Sequence, residues 1–203
     1  MGSTALSKKR LPAQERREQI LQCAIRVFAR SNYQSARIAD IAAEAGISEA
    51  MIYKHFPRKK TIFMETLNYM AANLAAFWEK ERGKETNALD LLRSMVIQYH
   101  RLIKNHPEEL KLQFVALSEV SDADILRQLQ EGYQIIHDFI RGIINKGIAQ
   151  GVIRSDINVD ALTYLNIGGG ALTHIMALLA REEDYTEDIA LAAVNHLIES
   201  IKA

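Results

Sequence analysis

Apolar residues recur at three- and four-residue intervals along almost the whole chain, and no alternating strand pattern competes with them. That periodicity confines the chain to an all-α architecture. Only three prolines and ten glycines interrupt it over 203 residues, so long helices are allowed. The spacing predicts helices at about Ala13 to Arg30, Ala36 to Glu44, Ser48 to His55 and Lys59 to Arg82. Further helices are expected at 88–104, 107–118, 123–150, 159–181 and 186–202. Asn105, Pro107, Ser121, Gly151 and the Ser155–Asn158 stretch are the breaks between them.

The N-terminal part reads as a helix-turn-helix. Pro12 precedes the first helix, where its missing N–H does no harm. Ile20, Leu21, Ala24, Val27 and Phe28 form that helix's stripe, and Asn32 follows as a residue that tolerates a left-handed stop. Ser35 is the expected cap of the short second helix. In Ala45-Gly46-Ile47-Ser48, Gly46 permits a tight turn, Ile47 plugs the core and Ser48 caps the third helix. The second helix of such a unit enters the major groove of DNA. Its outward positions are Ser48, Glu49, Ala50, Met51, Tyr53, Lys54 and His55. Arg37, Arg58, Lys59 and Lys60 are expected at phosphates around it. Any three-helix unit shows similar spacings, and Glu49 argues against close phosphate approach unless it accepts from cytosine.

Charge supports this reading. The chain carries 25 Lys and Arg and 25 Asp and Glu, net zero. Residues 1–60 nevertheless hold 12 cations against 5 acids, net +7, and residues 61–203 hold 13 against 20, net −7. A basic head on an acidic body is an electrostatic footprint of nucleic-acid binding. Lys8-Lys9-Arg10 supplies three of those cations and could equally be a solvated tail.

Ile38-Ala39-Asp40-Ile41-Ala42-Ala43-Glu44-Ala45-Gly46-Ile47-Ser48, followed by Ile52-Tyr53-Lys54-His55-Phe56-Pro57-Arg58-Lys59, closely resembles the N-terminal signature of the TetR family of bacterial repressors. The match spans about residues 13–65; the remainder resembles the family only in helical outline and length. The resemblance implies about nine helices. It implies an N-terminal DNA-binding domain at 1–58 and a helical ligand-binding and dimerisation domain at 59–203. The homodimer would close through a four-helix bundle of the last two helices. The family's recognition-helix tyrosine maps to Tyr53, a phosphate-contacting position to His55, and the lysine opening the fourth helix to Lys59. Asn32 stands where a glycine is usual, Met51 where a small or polar residue is common, and Lys60 where a glutamate is usual; Ala36 stands where a threonine is usual, which puts Ser35 or Arg37 in place of its cap and DNA phosphate contact.

The body offers pocket candidates in Phe77, Trp78, Met95, Tyr99, Phe114, Tyr133, His137, Asn166 and His174. Each is individually compatible with an ordinary core or surface role. The set is mostly apolar and no arginine pair marks an anion site, so an apolar or aromatic small molecule is the expected effector. Gly168-Gly169-Gly170 should cost roughly 1 kcal/mol each within a helix, and is expected as a break or as open space beside the pocket. Ala161, Leu165, Leu172, Ile175 and Leu179, with Ile189, Ala193, Leu197 and Ile201, form stripes wide enough for a core and a partner.

Other chemistries find less support. Cys23 is the single cysteine, which excludes an internal disulfide and a multi-cysteine zinc site, and suggests a reducing, cytoplasmic setting. The histidines lack metal-ligand spacing, so no metal or other cofactor is expected. No Ser-His-Asp pattern, phosphate-binding glycine loop or paired carboxylates point to an enzyme. An effector-independent DNA or protein-interaction module is the third reading. No apolar run reaches the roughly 18 residues of a membrane span.

Overall fold

A computed structural model describes residues 11–83, 87–181 and 183–203; the basic Lys8-Lys9-Arg10 run lies outside them. The described residues form nine helices: α1 (Ala13–Ser35), α2 (Ile38–Ala45), α3 (Glu49–His55), α4 (Lys59–Arg82), α5 (Ala88–Asn105), α6 (Pro107–Ser118), α7 (Ala123–Ala149), α8 (Val159–Leu178) and α9 (Glu187–Ile201). Among the described residues no helix is long and apolar enough to cross a membrane. Side-chain caps begin several of them: Ser48 for α3, Asn87 for α5, Asp122 for α7, Asn158 for α8 and Thr186 for α9.

Two apolar cores organise the chain. The first gathers Ile20, Ala24, Val27 and Phe28 of α1, Ile38 and Ile41 of α2 and Ile52 of α3. Phe56, with Ile62, Phe63 and Leu67 of α4, completes the head. Leu112 and Ala116 of α6 and Ile125 of α7 enter the same core, so the body is built into the head rather than strung from it. The second core joins Leu91 and Leu92 of α5, Ile140, Ile143 and Ile144 of α7, Leu162 of α8 and Ile198 of α9. Gly147 lets α7 approach the following turn: a Cβ there would collide with the Ile153 side chain and sit 3.1 Å from Ala88. A bridge between Ile153 and Lys202 ties down the C-terminus.

The first helical stretch breaks at Asn32 as expected, and a further short turn beyond that kink carries α1 on to Ser35. Two expectations change. Ser35 therefore does not cap α2; its N–H donates to Asn32 Oδ1 at 2.9 Å, and Arg37 is the residue before α2. Asn32 has φ 59° and ψ 173°, a combination open chiefly to glycine and costing a side-chain-bearing residue about 1–3 kcal/mol. That strain outweighs its exposed side-chain bond, worth about 0.5–1.5 kcal/mol. Asn32→Gly is therefore expected to stabilise the fold by about 1 kcal/mol in urea titration; a destabilised variant would mean the side-chain bond dominates. Finally, α8 runs unbroken through Gly168-Gly169-Gly170.

Candidate nucleic-acid interface and effector cavities

The α2–α3 turn works as its residues suggest. Gly46 takes φ 64°, ψ 36°, ending α2 with the left-handed conformation that glycine adopts without penalty. Ser48 Oγ accepts from the Met51 N–H at 3.3 Å and starts α3. Ile52 and Phe56 are fully buried and fix the helix against the head. Ser48, Glu49, Ala50, Tyr53 and Lys54 are exposed, and Met51 and His55 are half-buried. The Tyr53 side chain is 51% exposed, well placed for a groove.

Arginines of α1 brace this unit, a role sequence spacing did not reveal. Arg17 donates to the His55 carbonyl at 2.8 Å, pairs with Glu65 at 2.7 Å and covers the Phe56 ring at 4.1 Å. Arg26 and Arg30 both reach Glu44 of α2, at 2.8 and 2.7 Å. The hydrogen bond from Arg26 and then that from Arg30 hold the Glu44 carboxyl below the usual range. These contacts set the angle of the recognition helix.

The expected ring of phosphate-binding groups is reduced. Lys59 Nζ donates to the carbonyls of Tyr33, Gln34 and Ala36 at 2.8, 3.2 and 3.1 Å, and lies over the Tyr33 ring. An ammonium has three donors, so Lys59 is committed to closing the α1–α2 corner rather than to phosphate. Lys60 likewise turns inward, meeting Asp122 at 2.8 Å and Asp124 at 2.7 Å at the start of α7. Gln34 reaches Glu119 at 2.7 Å beside it. His55 is held below the usual imidazole value, first by burial and then by Lys54, Arg17 and Arg16. Among the described residues of the head, the exposed cations without an ion pair or side-chain hydrogen bond are Arg37, Lys54 and Arg58.

In the body, five of the expected pocket residues meet. Trp78, Tyr99, His174 and Phe114 form a chain of rings with centroids 5.8, 5.3 and 6.4 Å apart, and Phe77 meets Trp78 edge-on at its end. The Tyr99 hydroxyl lies 2.5 Å from His174 Nε2. Burial pulls His174 down to about 4 and pushes the Tyr99 phenol up, so the hydroxyl donates to a neutral ring. A Cβ on Gly170 would stand 3.2 Å from the Tyr99 ring, whereas Gly168 and Gly169 face open space. The other candidates lie elsewhere. His137 stacks on Tyr164 at 5.5 Å with exposed Tyr133 on the same helix, Asn166 bonds back to the Leu162 carbonyl, and Met95 packs on the second core.

His174 gives a pH prediction. In the unfolded chain it protonates near 6.5, in the fold only near 4. Between those values the unfolded state binds more protons, so stability falls as pH drops from about 6.5 to 4, by on the order of 1–3 kcal/mol. His174→Phe is expected to flatten that segment of a stability-against-pH curve; an unchanged slope would remove His174 as its source.

Two cavities open in the body. One of about 330 Å³ lies between α4 and α7, lined by Leu74, Trp78, Ile135, Ile136 and Phe139. A larger one of about 590 Å³ lies among α5, α6 and the facing ends of α8 and α9.

Residues 20–66 match the family model for bacterial regulatory proteins of the tetR family. The HTH-type transcriptional activator FasR of Mycolicibacterium smegmatis is 26% identical over 165 residues, covering 76% of this chain and 74% of that protein. FadR of Bacillus subtilis, solved with stearoyl-CoA, superposes with a TM-score of 0.75 at 18% identity, covering 90% of this chain and 95% of the other. A transcriptional regulator from Saccharomonospora viridis, solved with choline, superposes with a TM-score of 0.73 at 27% identity, covering 94% and 99%.

Proposed function

The chain belongs to the TetR family of bacterial regulatory proteins, and on that premise we propose that it is a homodimeric, cytoplasmic repressor released from its operator by a small ligand. The observation that carries this reading is the recognition helix α3, capped by Ser48 and fixed by Ile52, with Tyr53 and Lys54 exposed on a basic head. Residues 1–58 read as the DNA-binding domain and 59–203 as the ligand-binding and dimerising body. Ser48 to Tyr53 would read base edges, while Arg37, Lys54 and Arg58 would meet phosphates.

The dimer is supported by apolar side chains with no cover. Tyr164, Leu165, Leu172 and Ile175 stand exposed on α8, Leu179 just past its end, and Ile189 on α9. Exposed apolar stripes of this kind mark an interface. A two-fold pair of heads would address half-sites roughly 34–36 Å apart or multiples of that spacing. Two proteins of similar fold were solved with different molecules, stearoyl-CoA in one and choline in the other. An apolar or aromatic body suits the Trp78, Tyr99 and Phe114 rings of this chain. Ligand binding would bias the heads through the core shared by α4, α6 and α7, with a coupling of about 1–3 kcal/mol.

The test is salt-dependent binding of the full chain to DNA from its own promoter. The three free cations among the described residues of each head, over two heads, predict a contribution of roughly −5 to the slope of log affinity against log salt. A flat salt response, or equal affinity for promoter and unrelated DNA, would exclude the reading.

A further inference from the structure

The larger cavity has a charge character opposite to its surroundings. Residues 61–203 carry net −7, yet the lining holds Arg101, Lys104 and Lys111 against the single carboxylate of Glu187. Glu187 is bound twice by Arg101, at 2.9 and 2.7 Å, and also feels Lys104, so the lining keeps a net positive charge, with Lys104 on α5 and Lys111 on α6 free of any direct ion pair among the described residues. Ile103, Leu110, Met176 and Leu178 supply an apolar floor. His100, also in the lining, has the one buried side-chain nitrogen or oxygen without a hydrogen-bond partner among the described residues, its Nδ1. Trp78, Tyr99, His174 and Phe114 are not in its lining, so this cavity is separate from the ring cluster. At about 590 Å³ it falls within the roughly 300–1,000 Å³ of small-molecule sites.

We propose that this cavity is the effector site and that its ligand is an organic anion with an apolar body. The body packs on Ile103, Leu110 and Met176, and the anionic head lies at Lys104 and Lys111. This inference rests on the ligand-responsive reading above and adds to it a charge that aromatic content alone does not supply. Both ammonium groups are exposed, so their preference for the anion is modest, about tenfold.

The experiment titrates free, full-length protein calorimetrically with octanoate and phenylbutyrate, each against the matching uncharged alcohol. At least one carboxylate is expected to bind about tenfold more tightly than its alcohol. The double variant Lys104→Gln/Lys111→Gln should bring that pair within about twofold while leaving the alcohol's affinity unchanged. Ala177→Phe, which fills the cavity, should abolish binding of both. Equal affinities, a preference that survives the lysine changes, or no binding of any probe overturns the proposal. Should Ala177→Phe fail to fold, the lysine pair on the cavity rim still decides it. Operator affinity is measured separately without ligand. If DNA binding fails while the carboxylate binds in the stated way, the repressor reading falls and the anion site stands.

Discussion

Lys59→Met is expected to lower the stability of the whole fold by about 2–4 kcal/mol, read as a fall in Tm of roughly 5–15 °C. Methionine keeps the apolar stem over the Tyr33 ring but removes all three donors. The carbonyls of Tyr33, Gln34 and Ala36 then lose their common partner at the corner between α1 and α2. Charge-assisted bonds contribute about 1.5–3 kcal/mol each in isolation. The three act as a unit at a partly exposed corner, so their simple sum is too large. No local repair is available, because Asn32 in the same turn already holds a strained conformation and bonds Ser35. Operator affinity should fall with stability, since the corner sets where α2 and α3 sit. An unchanged Tm with lost DNA affinity would instead return Lys59 to the phosphate backbone.

Lys59 also shows which parts of the protein were legible in its sequence. Helix positions follow from apolar spacing and from breakers such as Pro107 and Gly151, both local signals, and the structure places the helices close to those bounds. The turn at Gly46 and the Ser48 cap are local too, and they appear as expected. The partners of long side chains are not local. Lys59 closes on residues 23–26 positions earlier, and Lys60 on residues 62 and 64 positions later. Nothing in a cation's own neighbourhood distinguishes one aimed at DNA from one aimed at a carbonyl. The same limit applied to the body. Choosing pocket residues by aromatic character found the Trp78–Tyr99–His174–Phe114 chain but missed Lys104, Lys111 and Met176, which line the larger cavity. Of the two expectations for the glycine run, the break is absent from α8, while Gly168 and Gly169 do face open space. The run's helix cost is local, but continuous packing of α8 against α5 and α7, with Gly170 making room for Tyr99, offsets it.

Tyr53→Ala is the counterpart of the Lys59 variant and should separate binding from folding. Tyr53 is 51% exposed on α3, next to the buried Ile52, and among the described residues no hydrogen bond or ring contact holds it. Its removal leaves no cavity, and alanine is a better helix former, so stability should change by no more than about 0.5 kcal/mol. A single recognition-helix contact is worth about 1–3 kcal/mol. A dimer carries two copies, which makes the expected loss of operator affinity about 2–6 kcal/mol, or roughly thirtyfold to more than ten-thousandfold. If Tyr53 reads bases, the loss should appear on the operator and shrink on unrelated DNA, with the salt slope retained. If the hydroxyl only touches phosphate, Tyr53→Phe should weaken both DNAs alike. Unchanged operator affinity in Tyr53→Ala, with an intact fold, would remove α3 from the interface. Lys54→Ala supplies the control: a lost phosphate contact should weaken all DNA sequences and flatten the salt slope by about 1 for each head.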